Sequence, residues 1–90
     1  MNQCATVVGT EADGDWLRRL CRAILCDAVS VLEMQKRRPT GRNAREAREV
    51  VEWIWRDDEA WAFSFRNVCA ICGEHPSRVR TALRARGLLR

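Results

Sequence analysis

Five cysteines and a single histidine are the side chains in this 90-residue sequence with the most reactive chemistry. Cys69-x-x-Cys72, with His75 close behind, has the spacing of half a zinc site, and Cys21 and Cys26 would supply the rest. Structural zinc takes four thiolate or imidazole ligands at tetrahedral geometry, usually from two short clips. Here the Cys69–Cys72 clip falls inside an apolar helical stretch. The four-residue gap between Cys21 and Cys26 sets those two thiols apart on a helix. Cys21, Cys69 and Cys72 therefore read as small core residues, and no metal or other cofactor is expected. Cys4 leaves the count odd, which argues against a disulfide framework. His75 has neither a carboxylate partner nor a Ser or Cys in a nucleophile setting nearby. It reads as a helix cap or a phosphate contact. No Gly-rich phosphate loop or paired-acid motif occurs, and Asp57-Asp58-Glu59 looks like a solvated acidic turn. The expectation is a protein that is not an enzyme.

Arginine is the more informative residue. There are 15 arginines and one lysine against 12 acids, for a net charge of +4. The charges come in blocks. Lys36–Arg48 holds six bases and one acid; Glu49–Ala60 holds five acids and one base; Pro76–Arg90 holds five arginines and no acid. Two basic blocks beside helix starts are the footprint of a protein that touches phosphate.

The elements that must position these charges are helical. Leu17, Leu20, Cys21, Ile24, Ala28, Val31 and Leu32 recur at spacings of three, four and seven. Asp13 or Asp15 is the expected N-cap of this first helix, after a flexible arm over residues 1–12. Lys36-Arg37-Arg38 suits its other pole, and Pro39 and Gly41 stop it. Leu25 and Val29 widen the apolar arc on one side, Trp16 and Ala23 on the other, as in a helix that packs on two sides. One side is expected to face the core and the other a second copy of the chain, giving a homodimer. Asn43 is the expected start of a second helix, with Asn43-x-x-Glu46 close to a capping box. Its buried stripe is Ala47, Val50, Val51 and Ile54, and the aromatics of Trp61-Ala62-Phe63 are expected to plug the gap between two halves of the domain. Ser64 caps a third helix ending at Gly73, and Pro76 opens a fourth that runs to about Arg86. The fold class is thus all-α: one four-helix domain over residues 13–90, too short to carry a separate cofactor domain.

Residues 64–86 fit a helix-turn-helix. Small Cys69 sits where the two helices approach most closely, Gly73 allows the tight turn, and Val68, Cys72, Val79 and Ala82 or Leu83 supply the contacts between them. Glu74 departs from the pattern, since such turns usually bury an aliphatic side chain there. The exposed N-terminal residues of the second helix in such a motif read base edges in the major groove, and Arg pairs well with guanine. Ser77, Arg80, Thr81 and Arg84 are the expected contacts to double-stranded DNA, with Arg78 and Arg86 on phosphate. Arg42 and Arg45, with Arg48 on the same face, are expected to hold the backbone.

The stretch Ala47 to Arg84 resembles a group of small phage and prophage proteins. The resemblance rests on Val50-x-x-Trp53-Ile54, the acidic break Asp57-Asp58-Glu59, Phe63-Ser64-Phe65-x-x-Val68-Cys69, Gly73, Pro76, and Val79-Arg80-x-x-Leu83. Where those proteins tend to carry Leu-Asp, this chain carries Glu74-His75. The resemblance implies a helix-turn-helix regulator of phage or mobile-element genes.

The leading expectation is a sequence-specific transcriptional regulator, dimeric through its first helix, with half-sites about 34 Å apart. The alternative is a small interaction factor that meets RNA polymerase or another transcription factor through the first helix and the tryptophans, Trp16 or Trp61 among them. No apolar run reaches the roughly 20 residues a membrane helix needs, and the first residues do not read as a secretory signal. A cytoplasmic location is expected.

Overall fold

The computed structural model describes residues 10–90, with side chains from Asp15 onward. Four α-helices follow one another: α1 (Thr10–Arg37), α2 (Gly41–Trp55), α3 (Phe65–Cys72) and α4 (Pro76–Ala85). The described residues contain no strand, and none of their helices is long and apolar enough to cross a membrane.

α1 starts earlier than its apolar period suggests. It begins at Thr10 and runs 28 residues, so Asp13 and Asp15 lie inside it and do not cap it. Residues 10–12 of the expected arm are helical, and residues 1–9 lie outside the described residues. At 1.5 Å per residue α1 is about 42 Å long and sets the longest dimension of the molecule, 44 Å. It packs against both α2 and α3, while α3 also packs on α2 and α4.

α2 also starts earlier. Thr40 is its N-cap, with Oγ1 accepting from the Asn43 amide at 3.0 Å. Asn43 lies a turn inside, and its side-chain amide donates to the Arg38 carbonyl at 2.7 Å. Thr40 thus caps α2 through its hydroxyl, and the Asn43 side chain satisfies the Arg38 carbonyl just beyond α1. Glu46 pairs instead with Arg42, four residues before it, at 3.3 Å.

The other boundaries match their sequence signals. Ser64 Oγ accepts from the Asn67 amide at 3.2 Å. Gly73 ends α3 with φ of 75° in the left-handed region, and Pro76 occupies the first turn of α4. Gly87, also at φ 75°, follows α4.

The core joins all four helices: Leu32 from α1, Ala47 and Ile54 from α2, Phe65 and Cys69 from α3, Leu83 from α4, and Leu89 from the C-terminal tail. Cys21 and Ala28 complete the inward face of α1, but Leu20 is exposed and Leu17, Ile24 and Val31 are only half-buried. Val50 and Val51 are likewise half-buried. The α2–α3 connector is tied down by Arg66, which bonds Glu59 at 2.9 Å and Asp57 at 3.4 Å. Asn67 adds bonds to the Glu59 and Trp61 carbonyls at 3.0 and 2.7 Å. Two of the three acids in the expected solvated turn therefore serve as anchors. Trp53, not Trp61, fills the gap behind the connector: its indole donates to the Phe63 carbonyl at 2.9 Å and meets the Phe65 ring edge-on at 5.4 Å. Trp61 is 53% exposed.

Candidate nucleic-acid interface

α4 is amphipathic, and its two faces divide the predicted contact residues. Val79 and Leu83 turn inward, while Ser77, Arg78, Thr81 and Arg84 are exposed. The helix start has no side-chain cap. His75 faces Ser77 instead, with Nδ1 and Oγ 2.9 Å apart. Glu74, beside it in the turn, is exposed.

Arg80 is not on the open face. Its side chain is only 14% exposed, and Nε and Nη2 donate to the Ile54 carbonyl at 3.0 and 2.6 Å. The guanidinium lies 5.0 Å from the Trp55 ring centre and 5.1 Å from that of Phe65, and Asp57 stands 3.5 Å away. Carbonyls in the last turn of a helix lack intrahelical donors, and a cation there also meets the negative end of the dipole. Arg80 thus closes α2 and locks α4 against it. A sequence wheel places Arg80 on a flank of α4, and only the position of α2 decides that the flank is covered. This corrects the expectation that Arg80 reads bases.

Arg84 spans the boundary between the two faces. Its guanidinium lies 5.1 Å from the centre of the Trp55 ring, the same indole that Arg80 meets, and its Nε donates to the Arg90 carbonyl at 3.3 Å. Trp55 therefore orients two arginines, a role with no local sequence signal.

The two basic blocks meet. Lys36 Nζ donates to the Arg86 carbonyl at 2.8 Å across 50 residues of sequence, and the Arg86 guanidinium pairs with Glu33. Lys36 also lines a groove of about 510 Å³ with Arg48 and Arg90, and a second of about 460 Å³ with Arg37 and Arg86. Arg42, expected ahead of the helix, sits in the first turn of α2 and pairs with Glu46. Among the described residues Arg45, Arg48 and Arg78 are exposed and make no ion pair. A helix start without acids but with Arg42 and Arg45 concentrates positive potential at that end of α2.

The cysteines are dispersed between core and surface. Cys21 and Cys69 are fully buried, Cys72 half-buried and Cys26 exposed. Burial pushes the Cys69 thiol up to about 11, with the neighbouring Cys72 adding to the effect. Burial also raises Cys21 and, with Cys21 beside it, Cys72. A thiol that resists ionisation is a poor metal ligand and a poor nucleophile. Among the described residues no three His, Cys, Asp or Glu side chains converge as a metal site would require.

No protein-family model, curated protein or solved structure matches the chain.

Proposed function

We propose that this chain is a cytoplasmic, sequence-specific regulator that binds double-stranded DNA. In this reading α3 and α4 act as a helix-turn-helix and α4 enters the major groove. Ser77, Arg78, Thr81 and Arg84 reach base edges and flanking phosphates. Arg42, Arg45 and Arg86 hold the backbone, and Arg80 serves only to fix the pose of α4. The observation that supports the proposal is the contact between Lys36 and Arg86, which joins two basic blocks 50 residues apart at the C-terminal end of α4. The phage or mobile-element setting rests on the resemblance over Ala47–Arg84.

The test is binding to a labelled duplex pool drawn from DNA flanking the gene, at two salt concentrations, with random duplex as competitor. With six phosphates neutralised, affinity falls with salt at a log–log slope of about −5. Arg78→Ala and Thr81→Ala should relax sequence preference, and Arg45→Ala should weaken all duplexes alike. Binding that random duplex removes, or no binding, would overturn the proposal. The second reading, a factor that docks on the transcription machinery, then takes its place. It draws support from Trp16 and Trp61, which are 52% and 53% exposed.

A further inference from the structure

A cavity of about 470 Å³ opens beside α1 and ends on the core of the domain. Its floor is Ile54 of α2, Phe65 of α3 and Leu83 of α4, each at most 5% exposed. Leu25 and Trp53 add apolar wall. The volume lies within the roughly 300–1,000 Å³ usual for small-molecule sites, which are apolar inside with a few placed polar groups.

The mouth carries such groups. Arg22, Cys26 and Ser30 follow one another at intervals of four along α1, all exposed, and Glu74 comes from the turn between α3 and α4. Arg22 is the one cation in the lining and Glu74 the one anion. Neither makes an ion pair among the described residues. Both stand near Cys72 on the same wall: burial and Cys21 raise its thiol, Arg22 lowers it and Glu74 raises it. An opening with one unpaired charge of each sign above an apolar floor complements a molecule with the same three parts.

We propose that this cavity binds a free aromatic α-amino acid, with its carboxylate on Arg22, its ammonium on Glu74 and its ring against Trp53 and the Phe65 floor. An α-amino acid holds both charges on one carbon and projects its side chain away from them. A ring suits the interior because Trp53 and Phe65 already meet edge-on at 5.4 Å and offer a third ring the same geometry. A ligand with the carboxylate alone meets a like charge in Glu74, and one with the amine alone meets a like charge in Arg22. The bound ring also supplies contacts that the apolar wall otherwise lacks. The inference goes beyond the DNA reading and stands without it.

The test is calorimetric titration with L-tryptophan up to about 10 mM, with thermal melts followed by circular dichroism. L-tryptophan should bind saturably and raise the melting temperature. Tryptamine and indole-3-propionate, each lacking one charge, should bind about tenfold more weakly. Arg22→Gln and Glu74→Gln, both at exposed positions, should melt as the wild type does and weaken L-tryptophan about tenfold. Arg22→Gln should not weaken tryptamine, nor Glu74→Gln indole-3-propionate. N-ethylmaleimide should alkylate Cys26 more slowly with L-tryptophan present, read by peptide mass spectrometry. No saturable binding of L-tryptophan or L-phenylalanine overturns the site. Binding that ignores either charge, in ligand or in variant, overturns the zwitterion, and unchanged Cys26 alkylation overturns its placement in this cavity.

Discussion

Arg80 and Ile54 are joined by two hydrogen bonds, from Nε at 3.0 Å and Nη2 at 2.6 Å, both to one carbonyl at the end of α2. The bonds are charge-assisted and shielded by Trp55 and Phe65, so they are strong. Arg80→Ala strands that carbonyl and should lower stability by about 3 kcal/mol in urea unfolding. Asp57→Ala should cost less than about 0.5 kcal/mol, because its carboxylate is well solvated. Equal effects would mean that the ion pair, not the carbonyl cap, anchors α4. Any loss of DNA binding in Arg80→Ala is then a loss of pose, whereas Arg78→Ala should leave the unfolding midpoint in place.

The two tryptophans beside the α2–α3 connector should behave oppositely. Trp53→Phe keeps the ring against Phe65 but loses the bond to the Phe63 carbonyl, a loss of about 1 kcal/mol. Trp61→Ala should cost under about 0.5 kcal/mol, since its ring is half in water and meets Phe63 edge-on at 6.4 Å. Urea midpoints of the two variants check this ordering.

Alkaline pH should destabilise the fold through Cys69. The folded thiol holds its proton up to about 11, against an ordinary value of 9.0. Between these values the unfolded chain has released the proton and the folded chain has not, so stability is full below pH 9 and falls as pH rises toward 11. The slope approaches about 1.4 kcal/mol per pH unit, and Cys21 and Cys72 act in the same direction. The chain has no tyrosine and one lysine, so few other groups titrate in this window. Urea unfolding of the wild type and Cys69→Ala at pH 8 and pH 10 should show the variant with the flatter dependence.

Gly73 and Gly41 separate conformational need from mere presence. Neither has an atom within 4 Å of an added Cβ, but Gly73 stands at φ +75° and Gly41 does not. Gly73→Ala should cost about 1 kcal/mol from backbone strain alone. Gly41→Ala, in the first turn of α2, should be neutral or add up to about 0.5 kcal/mol. Thermal melts of the two variants distinguish the cases.

Much of this architecture was legible in the residues themselves. Ser64, Gly73 and Pro76 mark helix ends because capping, positive φ and the missing proline amide are local properties that need no tertiary partner. Cys21, Ala28 and Leu32 announce the inward face of α1 by their spacing. Thr40 was legible too, since a Thr followed three residues later by Asn is a capping pattern, but Asn43 competes for the same role and only the traced helix start separates them. The start of α1 was hidden by Gly14 and by the lack of an apolar period in the opening turns.

The candidate site is a different matter. Residue types and block charges pointed to α4 and to Lys36–Arg48, and Ser77, Arg78, Thr81 and Arg84 lie open to solvent. Whether a given arginine meets solvent or protein depends on what lies across from it, and that neighbour comes from elsewhere in the chain. Arg80 is turned inward by the end of α2, 26 residues away, and Lys36 reaches Arg86 across 50. Helix periodicity places a side chain on a face. Only the packing of the helices decides which faces remain open, because that depends on contacts between residues the sequence keeps far apart.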